Sequence, residues 1–172
     1  MRPAALLAVA LGACAGPAPA DKAADAGYAG PPGWMLHFAP ADDPLAAPWQ
    51  LRAGEADWEL REGARWASAP VRVAAPVARD AGLVWDGVTL LPAGAAPGAS
   101  AGGAEVTGDG PLEVYYGRFP DVLRVAVGEG RFAGEWAFAL GVGPVRLTVD
   151  GESRELVYYE PTAPDAADTG AD

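Results

Sequence analysis

The chain has 172 residues, of which 51% are hydrophobic, and this length suits a single domain. Its formal net charge of −11 repels phosphate backbones, which argues against a nucleic-acid partner. With one His, one Cys, one Lys and three Ser, the chain lacks most of the side chains that zinc-dependent and nucleophilic enzymes use.

The N-terminal residues 1–13 predict a secretion signal. Arg2 supplies the positive charge, and the apolar stretch that follows is too short to span a bilayer as a helix. The segment that ends at Cys14, LGAC, resembles the bacterial lipobox, in which the cysteine is acylated and becomes the mature N-terminus. Cys14 is the only cysteine, so it has no disulfide partner. The sequence therefore predicts a cell-envelope protein that is anchored to a membrane by lipid on Cys14.

Three further segments follow from composition. Residues 14–32 are rich in Ala, Gly, Pro and Asp, which predicts a flexible tether rather than a core. Ala15 follows the predicted lipidated cysteine and is not the Asp that enterobacterial sorting uses for inner-membrane retention, so an outer-membrane location is favoured. Residues 161–172 predict a disordered acidic tail. A β domain is expected over residues 33–160.

Within this domain, apolar side chains recur at every second position, which is typical of strands with one buried face. Trp34, Leu36 and Phe38 begin the pattern, and a helical period is found almost nowhere. The other runs predicted as strands are residues 58–66, 71–73, 83–91, 112–116, 122–127, 131–140, 145–149 and 154–160.

Turn signals separate these runs. Asp150-Gly151 lies between the last two runs and is a strong signal for a hairpin. Residues 92–110, rich in Ala and Gly, form the longest break and predict either a mobile loop or a strand that is too degenerate to recognise. No helical crossover is visible, so the strands are predicted to be antiparallel. The expected fold is mainly β, as an antiparallel curved sheet or half-barrel, with a two-sheet β-sandwich as the alternative.

Several segments in order resemble a diffuse group of bacterial secreted proteins and lipoproteins. The quoted segments, over about 110 residues, are PWQLRAG at residues 48–54 with Trp58, LLP at 90–92 with Gly98, GRFPDVLRV at 117–125, FALGVGPV at 138–145, and EL at 155–156. The resemblance implies an antiparallel sheet that curves around a helix or cavity, similar to the lipoprotein-carrier (LolA/LolB-like) half-barrels. It implies no catalytic residues.

Catalytic chemistry has few candidate residues. A triad would need His37 with Ser68, Ser100 or Ser153, and no nucleophile-elbow motif surrounds any of these serines. Acidic residues near predicted turns are interpreted as solvated turn residues rather than as a Ca²⁺ site or an acid pair. No catalytic residue, metal or cofactor is predicted. His37 is expected on the polar face of an early strand.

Aromatic residues offer the clearest candidate site. We expect one tyrosine of each pair, Tyr115-Tyr116 and Tyr158-Tyr159, to face the core and the other to face solvent or a cavity. A curved sheet could enclose a pocket that binds a hydrophobic small molecule, lined by Trp85, Phe132, Trp136 and Phe138.

The first functional hypothesis is therefore a non-catalytic binding or carrier module for an apolar ligand. The alternative is a structural lipoprotein with a packed core, which holds an envelope protein by its acidic rim or a sheet edge. A carboxylate-based hydrolase is the least favoured.

Overall fold

In the computed structural model, the described residues are 27–28, 30–54, 57–62, 65–73 and 82–161. The predicted signal peptide, Cys14, most of the tether and nearly all of the tail lie outside this range. The described end of the predicted tether is packed onto the domain instead, because Tyr28 is buried in the core and the carbonyl oxygen of Gly27 accepts from the backbone N–H of Gly141 at 2.7 Å. The strands of the described residues are β1 (Trp34–Pro40), β2 (Trp49–Ala53), β3 (Asp57–Glu62), β4 (Arg65–Val73), β5 (Leu83–Trp85), β6 (Val88–Leu91), β7 (Ser100–Ala101), β8 (Ala104–Val114), β9 (Gly117–Val127), β10 (Gly134–Ala139), β11 (Gly143–Val149) and β12 (Glu152–Pro161).

The strands form one antiparallel sheet in the order β6-β5-β4-β3-β2-β1-β12-β11-β10-β9-β8-β7. Two meanders, β1 to β6 and β7 to β12, are joined where the first strand pairs with the last one. Each pairing is antiparallel and no α-helix occurs in the described residues. The mainly β, curved antiparallel sheet is therefore confirmed, and its single hydrogen-bonded order differs from the two-sheet alternative. Across the same residues, no helix is long and apolar enough to cross a membrane.

The predicted hairpin at Asp150-Gly151 is confirmed. Both residues have positive φ, 53° and 80°, and they connect β11 to β12 as a two-residue turn. The run at residues 83–91 was expected as one strand, and this expectation is wrong. Asp86 and Gly87, with φ of 51° and 77°, make a second hairpin there, between β5 and β6. The run at residues 58–66 is likewise divided between β3 and β4.

The Ala/Gly-rich stretch over residues 92–110 contains strand rather than only a loop. Strand β7 and the first seven residues of β8 lie in it, and β8 pairs with β9 from Ala104 to Val114. The register shifts twice, between Val106 and Gly108 and between Gly110 and Leu112. These irregularities interrupt the alternation of side chains, which is why the sequence showed no strand pattern there.

One face of the sheet holds most of the core. Strand neighbours repeatedly bring large apolar side chains together, as Phe38 with Leu156 and Trp136 with Leu147. The largest fully buried side chains are Trp85, Phe38, Phe138, Leu36, Leu51, Leu83, Leu90, Leu91 and Leu156. We call the face that carries them the inner face. Burial of this apolar surface is the main term that stabilises the fold.

The two ends of the sheet lie near one another. A Cβ atom added at Gly102, in the β7–β8 turn, would overlap the side chain of Thr89 on β6. A Cβ added at Gly130 would lie 2.8 Å from Val88 Cγ2. No hydrogen-bonded pairing joins β6 to β7 among the described residues, so the curved sheet stays open along this line.

Two arginines stabilise the β8–β9 hairpin on the face opposite to the inner face, which we call the outer face: Arg124 lies within the hairpin, on β9, and Arg146 lies on β11. Arg124 donates to the carbonyl oxygens of Asp109 and Pro111 at 3.2 and 3.1 Å. Arg146 donates to the carbonyl oxygen of Glu113 and pairs with the carboxylate of Glu155, whose other oxygen accepts from the backbone N–H of Tyr115. The hairpin tip is therefore held against β12 by charge-assisted hydrogen bonds.

A candidate ligand cavity on the inner face

The inner face of the first meander supplies one wall of a cavity. Phe38 on β1 pairs with Trp49 on β2, and Leu51 on β2 pairs with Leu60 on β3, so all four side chains share a face. Because successive side chains in a strand alternate, the polar Gln50 points to the opposite face. These pairings place a row of large apolar groups opposite the second meander.

The cavity has a volume of about 260 Å³. Its lining comprises five aromatic residues, four aliphatic residues and two charged residues. They are Phe38, Trp49, Trp85, Phe132 and Trp136; Leu51, Leu60, Leu147 and Val149; and Arg131 and Asp150. A concave, mainly apolar site with a few polar groups is the usual character of a small-molecule site.

Three of the four aromatic residues predicted for such a pocket lie in this lining. The rings of Trp85 and Phe132 stack with centroids 4.2 Å apart, and Trp136 donates its indole N–H to the carbonyl oxygen of Phe132 at 2.9 Å. Phe138 is outside the lining and packs behind Trp136 at 5.9 Å. Phe132 was expected within a strand, but β10 begins at Gly134, so Phe132 lies in the β9–β10 connection.

Sequence reasoning missed most of the rest of the lining. Trp49 and Leu51 lie in a segment whose sequence indicates only the resemblance, and no sequence pattern marks Arg131 as a site residue. Alternation identifies the buried face of a strand, but it does not say which strands stand opposite one another across a cavity. Trp49 and Val149 are 100 positions apart in the chain, and only the sheet order brings them together.

Charged groups are concentrated at one end of the cavity. Asp150, in the β11–β12 turn, and Arg131 belong to the lining. The guanidinium of Arg131 lies 5.3 Å from the centre of the Phe132 ring, and that of Arg154 lies 4.0 Å from the Trp49 ring. Guanidinium groups at these distances are attracted to aromatic faces. We refer to this end, with Arg131, Asp150 and Arg154, as the mouth.

His37 lies on the outer face, where it was expected. Its Nδ1 lies 3.3 Å from the side-chain nitrogen of Gln50. The side-chain oxygen of Gln50 accepts a hydrogen bond from Arg61 at 3.1 Å. On the other side, His37 Nε2 lies 3.4 Å from a carboxylate oxygen of Glu160. These contacts form a row of polar side chains that crosses four neighbouring strands, β3, β2, β1 and β12. Nowhere in the part of the chain that the structure describes do three or more His, Cys, Asp or Glu side chains cluster as metal ligands would.

The expectation for the tyrosine pairs is confirmed. Tyr116 and Tyr159 pack together with ring centroids 4.8 Å apart, whereas Tyr115 and Tyr158 are 60% and 50% exposed. Trp34 packs on the other side of Tyr159 at 5.0 Å. Tyr115 and Tyr116 lie in the turn between β8 and β9 rather than in a strand.

Alkaline pH should weaken the fold through Tyr159. Burial, followed by the hydrogen bond and charge of Tyr116, raises the pKa of Tyr159 to about 12 from its ordinary 10. The folded state then holds this proton more tightly than the unfolded state, so its contribution to stability is complete below pH 10 and is lost between about pH 10 and 12. Urea unfolding of the wild type and Tyr159→Phe from pH 8 to 12 measures the effect. Equal pH slopes for the two proteins would refute it.

Comparison with known proteins gives no family to which the chain can be assigned. No known protein family, no curated protein and no solved structure matches it. The resemblance to lipoprotein carriers and the lipobox stays a prediction from sequence.

Proposed function

We propose that this protein is a lipid-anchored envelope protein whose β domain is a non-catalytic binding or carrier module for an apolar ligand. The observation that carries the proposal is the cavity of about 260 Å³, in which nine of the eleven lining residues are aromatic or aliphatic. Burial of an apolar ligand against these side chains would supply the affinity, at about 25 cal/mol for each Å² removed from water.

The size of the cavity limits the ligand. An apolar cavity of about 150 Å³ accommodates benzene, with its six carbon atoms. By this ratio, the present cavity suits an apolar group of about ten carbon atoms. A medium-length acyl chain or a ligand with two rings meets this limit, and flat ligands would also gain from stacking on Trp85 or Trp136.

The membrane anchor and the location belong to the same proposal. Lipid on Cys14 would tether the domain to the cell envelope, with the outer membrane favoured, and residues 15–26 would give the cavity reach from the membrane surface, since Tyr28 is already buried in the core. Nucleic acid is not among the proposed partners, since the net charge of −11 opposes it.

A second candidate function rests on the outer face. Tyr115 and Tyr158 are large and exposed. The backbone N–H groups of Tyr115 and Tyr116 donate to the Glu155 carboxylate and to the Leu156 carbonyl oxygen, which holds the tip of the β8–β9 hairpin on β12. Exposed tyrosines are frequent anchors of protein interfaces. Under this alternative, the protein holds an envelope protein on its outer face and the cavity has no ligand of its own.

Native mass spectrometry distinguishes the two candidates. The full chain with Cys14→Ser carries no lipid anchor, and organic extraction identifies what co-purifies with it. A stoichiometric apolar compound, or uptake from an added lipid mixture, is the expected result. A ligand-free mass together with no uptake would contradict the carrier proposal and favour the protein-partner alternative.

Filling the cavity should abolish ligand uptake. Val149 lines the cavity near its mouth, so Val149→Phe places a ring in the space that the ligand would occupy. We expect binding of an apolar dye to fall by at least about tenfold, as fluorescence titration would show. Thr148→Phe is the matched control, because Thr148 is the preceding residue of β11 and faces the outer side. Equal losses in the two variants would contradict the assignment of the cavity.

A further inference from the structure

We infer that the ligand is an amphiphile with an anionic head group, and that Arg154 binds this head at the mouth of the cavity. The inference rests on the proposed function, since it names the class of ligand for the same cavity. It follows from the position of Arg154, from its bonding partners and from the charges around it.

Arg154 belongs to the inner face although it is charged. Its strand neighbours are Leu147 on β11 and Pro40 on β1, and Leu147 lines the cavity. Its side chain is only 13% exposed, and its guanidinium lies 4.0 Å from the ring of Trp49, another lining residue. Arg154 is not itself one of the eleven lining residues. Its stem is packed among apolar groups, and its charge lies beside the cavity, against the lining residue Trp49.

The bonding of Arg154 is incomplete. Its Nε atom is buried and has no hydrogen-bond acceptor among the described residues. Its Nη2 atom donates to Glu152 at 3.1 Å, but the side chain of Glu152 is 71% exposed. A pairing with so exposed a carboxylate contributes little to stability. An anionic ligand can therefore take the place of Glu152 at small cost, and it gains a partly buried guanidinium with donors to spare.

The exchange replaces one anionic group by another beside Arg154. Glu152 is the carboxylate that pairs with Arg154, and its side chain is 71% exposed, so it can turn into solvent when a ligand head arrives. Once a ligand head displaces the exposed Glu152 side chain, it occupies the position of that carboxylate with Arg131 also close to the cavity. The apolar chain behind the head then extends toward Trp85 and Trp136. Carboxylate and phosphate heads share this chemistry, because both accept hydrogen bonds from a guanidinium.

Three ligands that differ only in the head group test the inference. Decanoate, decyl phosphate and decanol carry the same ten-carbon chain, which matches the size of the cavity. Each is titrated at pH 8, below its aggregation concentration, into the full chain with Cys14→Ser, and binding is followed by calorimetry and tryptophan fluorescence. We expect at least one anionic ligand to bind about tenfold more tightly than decanol.

Two variants should move this preference in opposite directions. Arg154→Gln should remove the tenfold preference, measured as the ratio of anion affinity to decanol affinity within the variant. Glu152→Gln should instead strengthen binding of the anion by removing its competitor. Arg118→Gln, at a position outside the cavity lining, is the matched control and should change neither affinity.

The outcomes separate the inference from the proposed function. Equal binding of decanol and both anions by the wild type would overturn the inference and leave an apolar cavity in place. Binding of none of the three ligands would overturn both. A preference for anions that survives Arg154→Gln would also overturn the inference, since the head would then be held elsewhere.

Discussion

Replacement of Gly134 by alanine should lower the free energy of unfolding by about 3 kcal/mol or more. Gly134 begins β10 at φ = 145°, a conformation that residues with a Cβ rarely adopt. A Cβ at this position would overlap the carbonyl oxygen of Thr148 and lie 3.0 Å from its carbonyl carbon. Both atoms are backbone of the paired strand β11, so they can move only if the β10–β11 pairing is distorted.

Gly110→Ala is the control that separates the two causes. Gly110 also has a positive φ, of 124°, but a Cβ there would meet no atom within 4 Å. This variant should lose only the conformational cost, about 1–2 kcal/mol. Urea unfolding of the two variants beside the wild type gives both values. If the two losses were equal, the close approach of β10 to β11 at Thr148 would have no energetic consequence and the explanation would be wrong.

The class of fold was predictable because buried side chains recur at every second position of a strand, and this alternation is visible in the sequence. In β1, Trp34, Leu36 and Phe38 lie on one side by alternation alone, and the structure pairs them with inward residues of β2 and β12. The Asp150-Gly151 turn was also predictable, since an Asp-Gly pair accommodates the positive φ of a two-residue turn. Both inferences need only residues that are close together in the chain.

The same alternation does not reveal the hairpin within residues 83–91, and the register explains why. The two-residue turn at Asp86-Gly87 places Trp85 opposite Val88, which exchanges odd and even positions. An irregularity before Leu91 then inserts one extra residue, so Leu91 stands opposite Leu83. The second change cancels the first. The alternation therefore continues through a hairpin as though the run were one strand.

The site was only partly predictable for a related reason. Trp85, Phe132 and Trp136 could be chosen as large aromatic residues in buried runs, but their partners come from β1, β2 and β11. The position of Arg154 in the sequence is informative about the site. Arg154 is two positions from the buried Leu156 in the same strand, and a charged residue on a buried face often marks a functional site.

Replacement of Trp136 by alanine should give a large loss of stability. The side chain of Trp136 is buried, and its ring packs between Phe132 at 6.0 Å and Phe138 at 5.9 Å. Truncation of a buried tryptophan costs about 3–5 kcal/mol, because transfer energy is lost and a void remains. The carbonyl oxygen of Phe132 also loses the indole donor at 2.9 Å, which adds about 1 kcal/mol. Tyr158→Ala, at a residue that is 50% exposed, should lose far less.

Added indole connects this loss of stability to the cavity. In Trp136→Ala the void would join the existing space of about 260 Å³, so indole can enter it and restore part of the packing. Because a ligand that binds only the folded state raises its stability, the melting temperature of Trp136→Ala should rise with indole concentration. The rise should be smaller in the wild type, where the Trp136 ring already occupies that position. A variant that loses 3–5 kcal/mol but gains nothing from indole would show that the sheet collapses around the missing ring, and that the inner face does not preserve a cavity on its own.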